Sequence, residues 1–348
     1  MGCCSSTIKD GEYVRPHKAS KIYAAFEVTV PDLKGKTIAI TGCTSDGIGF
    51  CCARACARKG ATVLMLNRES PRAADAERRI RADVPNANVK TIICDLTSFE
   101  SVRAAASQIR AELSVGLDVL CCNAAVMAFR DVATADGYDV QMQTNHLSHF
   151  LLAKELFPLL EHAATLRGEA RIVATTSSAR WGTKGLEEEY LGANGGSLGG
   201  DSASVSGGAR WTRYSQSKLA NSLFIQALHE RLAAREGSGS RVKAVCCCPG
   251  GCVTDLQVNT DKDGGLGRWK YLFTHHSYLL QSAEDGSLSV ITACAMAGVR
   301  SGELLEPSKG GHMRGPVGRT KLTRAEKDAG AKSMLWASSE QACGPWPL

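Results

Sequence analysis

From Lys36 to about Leu305, short apolar runs alternate with longer stretches of helical period, and few architectures accommodate that rhythm. Thr37-Ile38-Ala39-Ile40, Ala61 to Leu66, Val89 to Cys94, Leu117 to Cys122, Arg171 to Thr175 and Val242 to Cys248 each read as a strand buried on both faces. Between them Ile48, Cys52, Ala55 and Cys56 recur at spacings of three and four, as do Leu219, Leu223, Ala227 and Leu228. That spacing predicts helices with one apolar stripe. Strand, helix, strand repeated in this way predicts right-handed βαβ units, and so an α/β domain with a doubly wound parallel sheet of the Rossmann type. The 348 residues are read as a single such domain over 33–345, preceded by a polar arm over 1–32. Leu191 to Gly208, rich in Gly, Ser and Ala, reads as a flexible insertion near a substrate opening.

Composition removes several functional classes. The net charge of +6 is mild and dispersed, which argues against a nucleic-acid partner. The longest apolar uncharged run, Gly286 to Val299, falls short of the roughly 20 residues a membrane-spanning helix needs. Met1 to Val30 lacks the continuous apolar stretch of a secretory signal. The fifteen cysteines include Cys121-Cys122 and Cys246-Cys247-Cys248 inside strand-like runs, and none form a C-x-x-C pair or a zinc-ligand spacing. They read as reduced, packed thiols of a cytosolic protein, with no metal.

Directly after the first strand, Thr41-Gly42-Cys43-Thr44-Ser45-Asp46-Gly47-Ile48-Gly49 opens a helix. Glycines permit a tight turn, and the helix N-terminus offers unpaired N–H groups to a pyrophosphate. Gly42, Ser45, Gly47, Ile48 and Gly49 are therefore expected around a dinucleotide. The second strand ends in Asn67-Arg68, where a site for NAD usually carries an acidic residue. The Arg68 guanidinium can clamp a 2′-phosphate, which points to NADP(H). Asp95 and Leu96 are placed to meet the adenine, and Asn123-Ala124-Ala125 follows the fourth strand.

Of the seven tyrosines, only Tyr214 has a lysine, Lys218, four residues later. That spacing puts phenol and ammonium on one helix face. A tyrosine ordinarily titrates near 10, too high for a general acid at cellular pH. A positive charge about 5–6 Å away supplies about 3 kcal/mol at an effective dielectric near 20, enough to bring the phenol close to working pH. Ser177, just past the fifth strand, can hydrogen-bond a reacting carbonyl oxygen. Asn145, in Gln143-Thr144-Asn145-His146-Leu147, can order a proton-relay water.

Taken together these residues resemble the short-chain dehydrogenase/reductase family, over roughly Leu33 to Gly344. Within it the chain looks closest to the retinol-dehydrogenase-like branch. The resemblance rests on Asn145-His146-Leu147-Ser148-His149-Phe150, Tyr214-Ser215-Gln216-Ser217-Lys218-Leu219-Ala220-Asn221, Cys248-Pro249-Gly250-Gly251-Cys252-Val253-Thr254-Asp255-Leu256 and the tail Leu335 to Glu340. It implies a seven-stranded parallel sheet and a catalytic tetrad of Asn145, Ser177, Tyr214 and Lys218. It further implies that Lys218 holds the nicotinamide ribose and that Pro249, Gly250 and Thr254 flank the nicotinamide.

Two departures stand out. The family's turn has three residues between its first two glycines, and this chain has four, so the loop must bulge and Asp46 brings a negative charge towards the pyrophosphate. The family's Asn-Ala-Gly is here Asn123-Ala124-Ala125, tolerable unless the backbone there needs positive φ. Light-dependent protochlorophyllide reductases carry a cysteine where this chain has Ala220, which argues against pigment reduction.

Met1-Gly2-Cys3-Cys4-Ser5-Ser6 matches the N-myristoylation pattern at Gly2, with Cys3 and Cys4 available for palmitate. The sequence thus predicts an NADP(H)-dependent oxidoreductase held peripherally on the cytosolic face of a membrane. It would interconvert carbonyl and alcohol on a lipophilic small molecule such as a retinoid, steroid or fatty aldehyde. The rival expectation is a non-catalytic NADP-binding redox sensor or adaptor.

Overall fold

The structure, a computed structural model, describes residues 8–9, 12–13, 15–203, 207–235, 241–266, 280–346 and 348. A two-stranded ribbon, β1 (Ile8–Lys9) and β2 (Glu12–Tyr13), precedes helix α1 (Tyr23–Thr29). The main sheet then unfolds in βαβ order. Its strands are β3 (Thr37–Thr41), β4 (Thr62–Asn67), β5 (Val89–Ile93), β6 (Val119–Cys122), β7 (Ala170–Thr175), β8 (Val242–Cys247), β9 (Leu304–Lys309) and β10 (Arg314–Thr320). In space they run β10-β9-β8-β7-β6-β3-β4-β5.

Strand side chains alternate between two cores, which is why the strands read as unbroken apolar runs. Ile38, Ile40, Val63 and Met65 face one layer with α1, α2 (Ile48–Arg58), α3 (Pro71–Asp83) and α9 (Ala283–Ala295). Ala39, Leu64 and Leu66 face the other with α4 (Phe99–Glu112), α6 (Ser148–Arg167), α7 (Ala209–Ala234) and α11 (Ala329–Cys343), the short α5 (Val140–Met142) preceding α6. Cysteine serves these cores as a small hydrophobe: all thirteen described cysteines are buried free thiols. No described helix is long and apolar enough to cross a membrane.

The expected parallel sheet of seven strands is present, and one strand must be added. β10 pairs antiparallel with β9 at the sheet edge, after a turn in which Gly310, Gly311 and His312 all have positive φ (+60°, +63°, +66°). Pro307 and Pro316 break the strand signal in the sequence, and the register slips between Arg314 and Val317.

Two expected boundaries also move. The second half of the arm belongs to the domain, because the Asp285 carboxylate of α9 gathers it. Asp285 accepts from the Ser20 hydroxyl (2.6 Å) and from the backbone N–H groups of Lys21, Ile22 and Tyr23 (2.9, 3.1 and 3.1 Å), capping α1 from outside. Tyr23 and Val30 are buried in consequence. The insertion is pinned through residue 203. The Asp131 carboxylate accepts from the N–H groups of Gly196, Leu198 and Gly200, and buried Arg213 donates to the carbonyls of Leu198 and Gly200.

Strand order reverses beside β3, between β4 and β6. In open α/β sheets the crevice at such a point, outside the carboxyl ends of the strands, is the ligand site. Gly42, Asn123, Ser177 and Pro249, which follow β3, β6, β7 and β8, all lie along that edge.

Candidate active site

At the end of β3 the backbone closes tightly on itself. Gly42 has φ +75°, and a Cβ there would stand 2.8 Å from the Ala124 Cα; one on Gly49 would stand 2.5 Å from the Gly42 carbonyl oxygen. Both positions therefore require glycine. The Asn123 amide donates to the Thr41 carbonyl (2.9 Å), and the Asn67 side chain accepts from the Cys43 N–H (2.7 Å). Asn67 is a turn-fixing residue that sequence reasoning passed over, since a strand-terminal Asn carries no signal of its own.

Asp46 absorbs the extra residue of the turn by taking φ +62°. Its carboxylate does not confront a pyrophosphate alone. Arg79 (2.9 Å) and Arg15 (3.2 Å) hold it, and its pKa lies below the usual carboxylate range, chiefly through the Arg79 hydrogen bond. No side chain caps α2 at Gly47 and its first turn carries no acidic residue, so among the described residues no side chain takes the N–H groups of that turn. This end fits a pyrophosphate. Ala125, in the place of the family's glycine, does not need positive φ; Ala128 takes it instead.

The remaining cofactor expectations separate. The Ser45 hydroxyl is drawn to Asp75 (2.6 Å), and Ile48 is half-buried behind the turn. Arg68 is exposed and makes no hydrogen bond or ion pair with any described residue. Asp95 is occupied by the Thr97 N–H and hydroxyl (2.9 and 2.8 Å), with Leu96 buried beside it. Gly250, at φ +70°, packs where a Cβ would stand 2.6 Å from the Met313 carbonyl oxygen. It follows Pro249 in the β8 loop, and Thr254 caps α8 (Asp255–Lys262) reciprocally with Gln257. Gly2, Cys3 and Cys4 lie outside the described residues.

α7 carries the Tyr214 phenol and the Lys218 ammonium on the face turned to the sheet edge, with Lys218 Nζ 5.8 Å from the Tyr214 ring centre. Lys218 donates to the Thr175 carbonyl (3.2 Å), which Asn221 shares (3.1 Å). The Ser177 hydroxyl stands close enough to the phenol to lower its pKa, and it accepts from the Ala179 N–H (3.2 Å). Three of the four expected catalytic residues thus converge.

Their electrostatics overturn one expectation. Burial raises the Tyr214 pKa above its ordinary value and outweighs the Ser177 hydrogen bond, which lowers it. The same burial pushes Lys218 down to about 8. Lys218 therefore does not bring the phenol to neutral pH in the protein alone, because the apolar surroundings penalise both charged forms.

Asn145 sits in a π-helical turn, Gln143–Leu147, and its amide is fully occupied. It accepts from the Val126 N–H and donates to the Val126 carbonyl and the Ser217 hydroxyl, each at 2.9 Å. The side chain braces the β6 loop against α7, three residues past Tyr214. Beside it His149 joins the Asn145 carbonyl (Nδ1, 3.0 Å) to the Thr41 hydroxyl (Nε2, 2.9 Å). A carbonyl only accepts, so Nδ1 carries the proton and Nε2 accepts from Thr41. Burial keeps this ring neutral, its pKa lowered to about 4. An apolar group made of Met127, Ala128 and Leu266, with Trp211, Leu256 and Val258 packed against it, covers the phenol.

Comparison with known proteins identifies the family. The short chain dehydrogenase family profile matches residues 36–189. A short chain dehydrogenase/reductase of Colletotrichum higginsianum is 31% identical over 88% of this chain and 74% of its own. A crystal structure of an uncharacterised Mycobacterium paratuberculosis protein superposes with a TM-score of 0.70 at 30% identity, covering 92% of this chain and 98% of that one. A Shigella flexneri short chain dehydrogenase, solved in complex with NADP, has a TM-score of 0.56 at 22% identity, over 78% and 97% of the two chains. The match spans about half the length of several longer oxidoreductases. The chain belongs to the short-chain dehydrogenase/reductase family, a family of oxidoreductases.

The electrostatics make a prediction about stability. Between about 8 and 10.5 the unfolded chain keeps a proton on Lys218 that the native state releases, so native stability rises with pH across that window. At pH 7 both states are charged, and burying the ammonium costs on the order of 3 kcal/mol. Lys218→Met, which leaves Asn221 on the Thr175 carbonyl, should raise the unfolding free energy at pH 7 by about that amount, and the advantage should shrink towards pH 10. Denaturant unfolding at both pH values checks this; a variant less stable than wild type at pH 7 contradicts it.

Proposed function

We propose that this chain is an NADP(H)-dependent reductase of lipophilic aldehydes or ketones, working reversibly on the corresponding alcohols. One observation carries the reading: a buried phenol, beside the Ser177 hydroxyl and 5.8 Å at its ring centre from the Lys218 ammonium, stands under an apolar cover at the sheet's switch point. The nucleotide, when bound, supplies or accepts the hydride. Ser177 and Tyr214 both reach the place of a carbonyl oxygen. Burial keeps the Tyr214 proton in place until the oxygen gains charge, which suits a proton donor. Lys218 lies at the nicotinamide end, where it would hold the ribose, and its charge favours the phenolate that donation leaves behind. Asn145 and His149 hold the neighbouring backbone in register.

Gly42, Gly47 and Gly49 with the uncapped α2 terminus would take the pyrophosphate, and Asp95 and Leu96 the adenine. The unpartnered Arg68 would take the 2′-phosphate, in keeping with the NADP held by the Shigella flexneri structure. Met127, Trp211, Leu256 and Leu266 define an apolar approach, which favours a retinoid, steroid or fatty aldehyde, as do the retinol-dehydrogenase-like motifs. The first residues of the arm would anchor the domain to a membrane through myristate on Gly2 and palmitate on Cys3 or Cys4. One myristoyl chain binds with an association constant of only about 10⁴ M⁻¹, so the second acyl group matters.

Tyr214→Phe should lower kcat about 10³-fold or more in NADPH oxidation with a panel of aldehydes and ketones, leaving nucleotide affinity nearly unchanged. Undiminished turnover refutes the assignment. Nucleotide binding by the wild type without turnover on any carbonyl would favour a non-catalytic sensor or adaptor. Arg68→Ala should raise KM for NADPH about 10- to 100-fold, the loss of one charge-assisted hydrogen-bonding pair, and leave KM for NADH within about twofold. Equal effects on both nucleotides reject the clamp.

A further inference from the structure

Ser177 begins the short turn Ser178–Gly182, and a buried cluster of charge lies directly behind it. Arg180 is 2% exposed and spends its guanidinium in three directions. Nη1 donates to the Ser177 carbonyl (3.0 Å), Nε to Glu326 (2.8 Å) and Nη2 to Glu306 (2.9 Å). Both carboxylates are fully buried. Glu306 lies on β9, and Glu326 on the short helix α10 (Arg324–Lys327), where it closes a capping box with Thr323. The Ser222 hydroxyl of α7 donates to the same Glu326 oxygen (2.7 Å).

Two buried glutamate side chains thus face one guanidinium. The second Glu306 oxygen has no hydrogen-bond partner among the described residues, and His312 Nδ1 lies 3.3 Å from it. Buried charge clusters of this kind add little stability compared with apolar side chains of the same volume, and their best-attested use is to fix geometry. The geometry at stake is plain. Through Glu326 and Ser222 the cluster is tied to α7, the helix of Tyr214, and through Nη1 it is tied to the backbone of Ser177. The two groups that must meet one carbonyl oxygen are referred to the same planar fork.

We infer that Arg180 is a positioning residue, which with Glu306 and Glu326 fixes the Ser177 turn relative to the Tyr214 helix. The inference rests on the proposed role of Ser177. A lysine keeps the charge, but its compact ammonium lacks the planar fork around which the three acceptors are set. Arg180→Lys should therefore lower kcat about 100-fold, the effect of displacing a reacting group by about 1 Å, with KM for NADPH within about twofold of wild type. In a Ser177→Ala background, where the hydroxyl is already gone, adding Arg180→Lys should lower kcat less than about threefold further, a coupling that a purely stabilising residue would not show. If Arg180→Lys does not fold, Glu326→Gln serves: it should cost roughly tenfold in kcat alone and nearly nothing beside Ser177→Ala. Wild-type kcat in these variants, or losses that multiply in the double variant, overturn the inference. Full turnover in Ser177→Ala itself would instead remove the role given to Ser177, so the two failures are distinguishable.

Discussion

Placing a phenol and an ammonium in the same water-poor crevice is the constraint on which this structure turns. Each charged form is penalised by burial, so Tyr214 holds its proton harder than in water and Lys218 holds its own more weakly. Burying an ammonium beside a phenol is costly for folding and useful for chemistry. In the proposed reaction, the charge that appears when a carbonyl is reduced has nowhere cheap to go except onto these groups.

The surroundings serve that placement. α7 supplies both groups at a spacing of four residues, and the β7 carbonyl of Thr175 holds the ammonium. The π-helical turn at Asn145 is locked to the β6 loop by a pair of hydrogen bonds to Val126 and to α7 through Ser217. Thr41 accepts from the N–H groups of Asn123 and Ala124 while donating to neutral His149, so all its hydrogen-bonding capacity is used. The glycine turn and the residues proposed to move the proton are therefore one connected scaffold.

Much of this was legible in the sequence. Strands buried on both faces give apolar runs, and stripes of period 3.6 give helices, so the βαβ order could be read directly. The Tyr214–Lys218 spacing and the glycine turn are local patterns and survive without tertiary information. What stayed hidden depends on distant partners. Pro307 and Pro316 disguised the β9–β10 hairpin, whose turn is made by three consecutive residues of positive φ. The composition of Leu191 to Gly208 reads as flexible because Asp131 and Arg213, which pin it, lie far away in sequence. Asp46 looked like a charge aimed at the cofactor because Arg15 and Arg79 are brought to it only by folding. Burial reversed the expected direction for Tyr214, a matter of surroundings that no spacing rule contains.

The most direct test follows the Tyr214 hydroxyl itself. In protein carrying tyrosine labelled with ¹³C at Cζ, the resonance absent from Tyr214→Phe reports this phenol through a pH titration. Free of nucleotide, Tyr214 should stay protonated beyond the ordinary value near 10; with oxidised nucleotide bound, its ionisation should move towards neutral pH. A phenol that ionises below pH 9 in the free protein, or one indifferent to the nucleotide, would contradict the account.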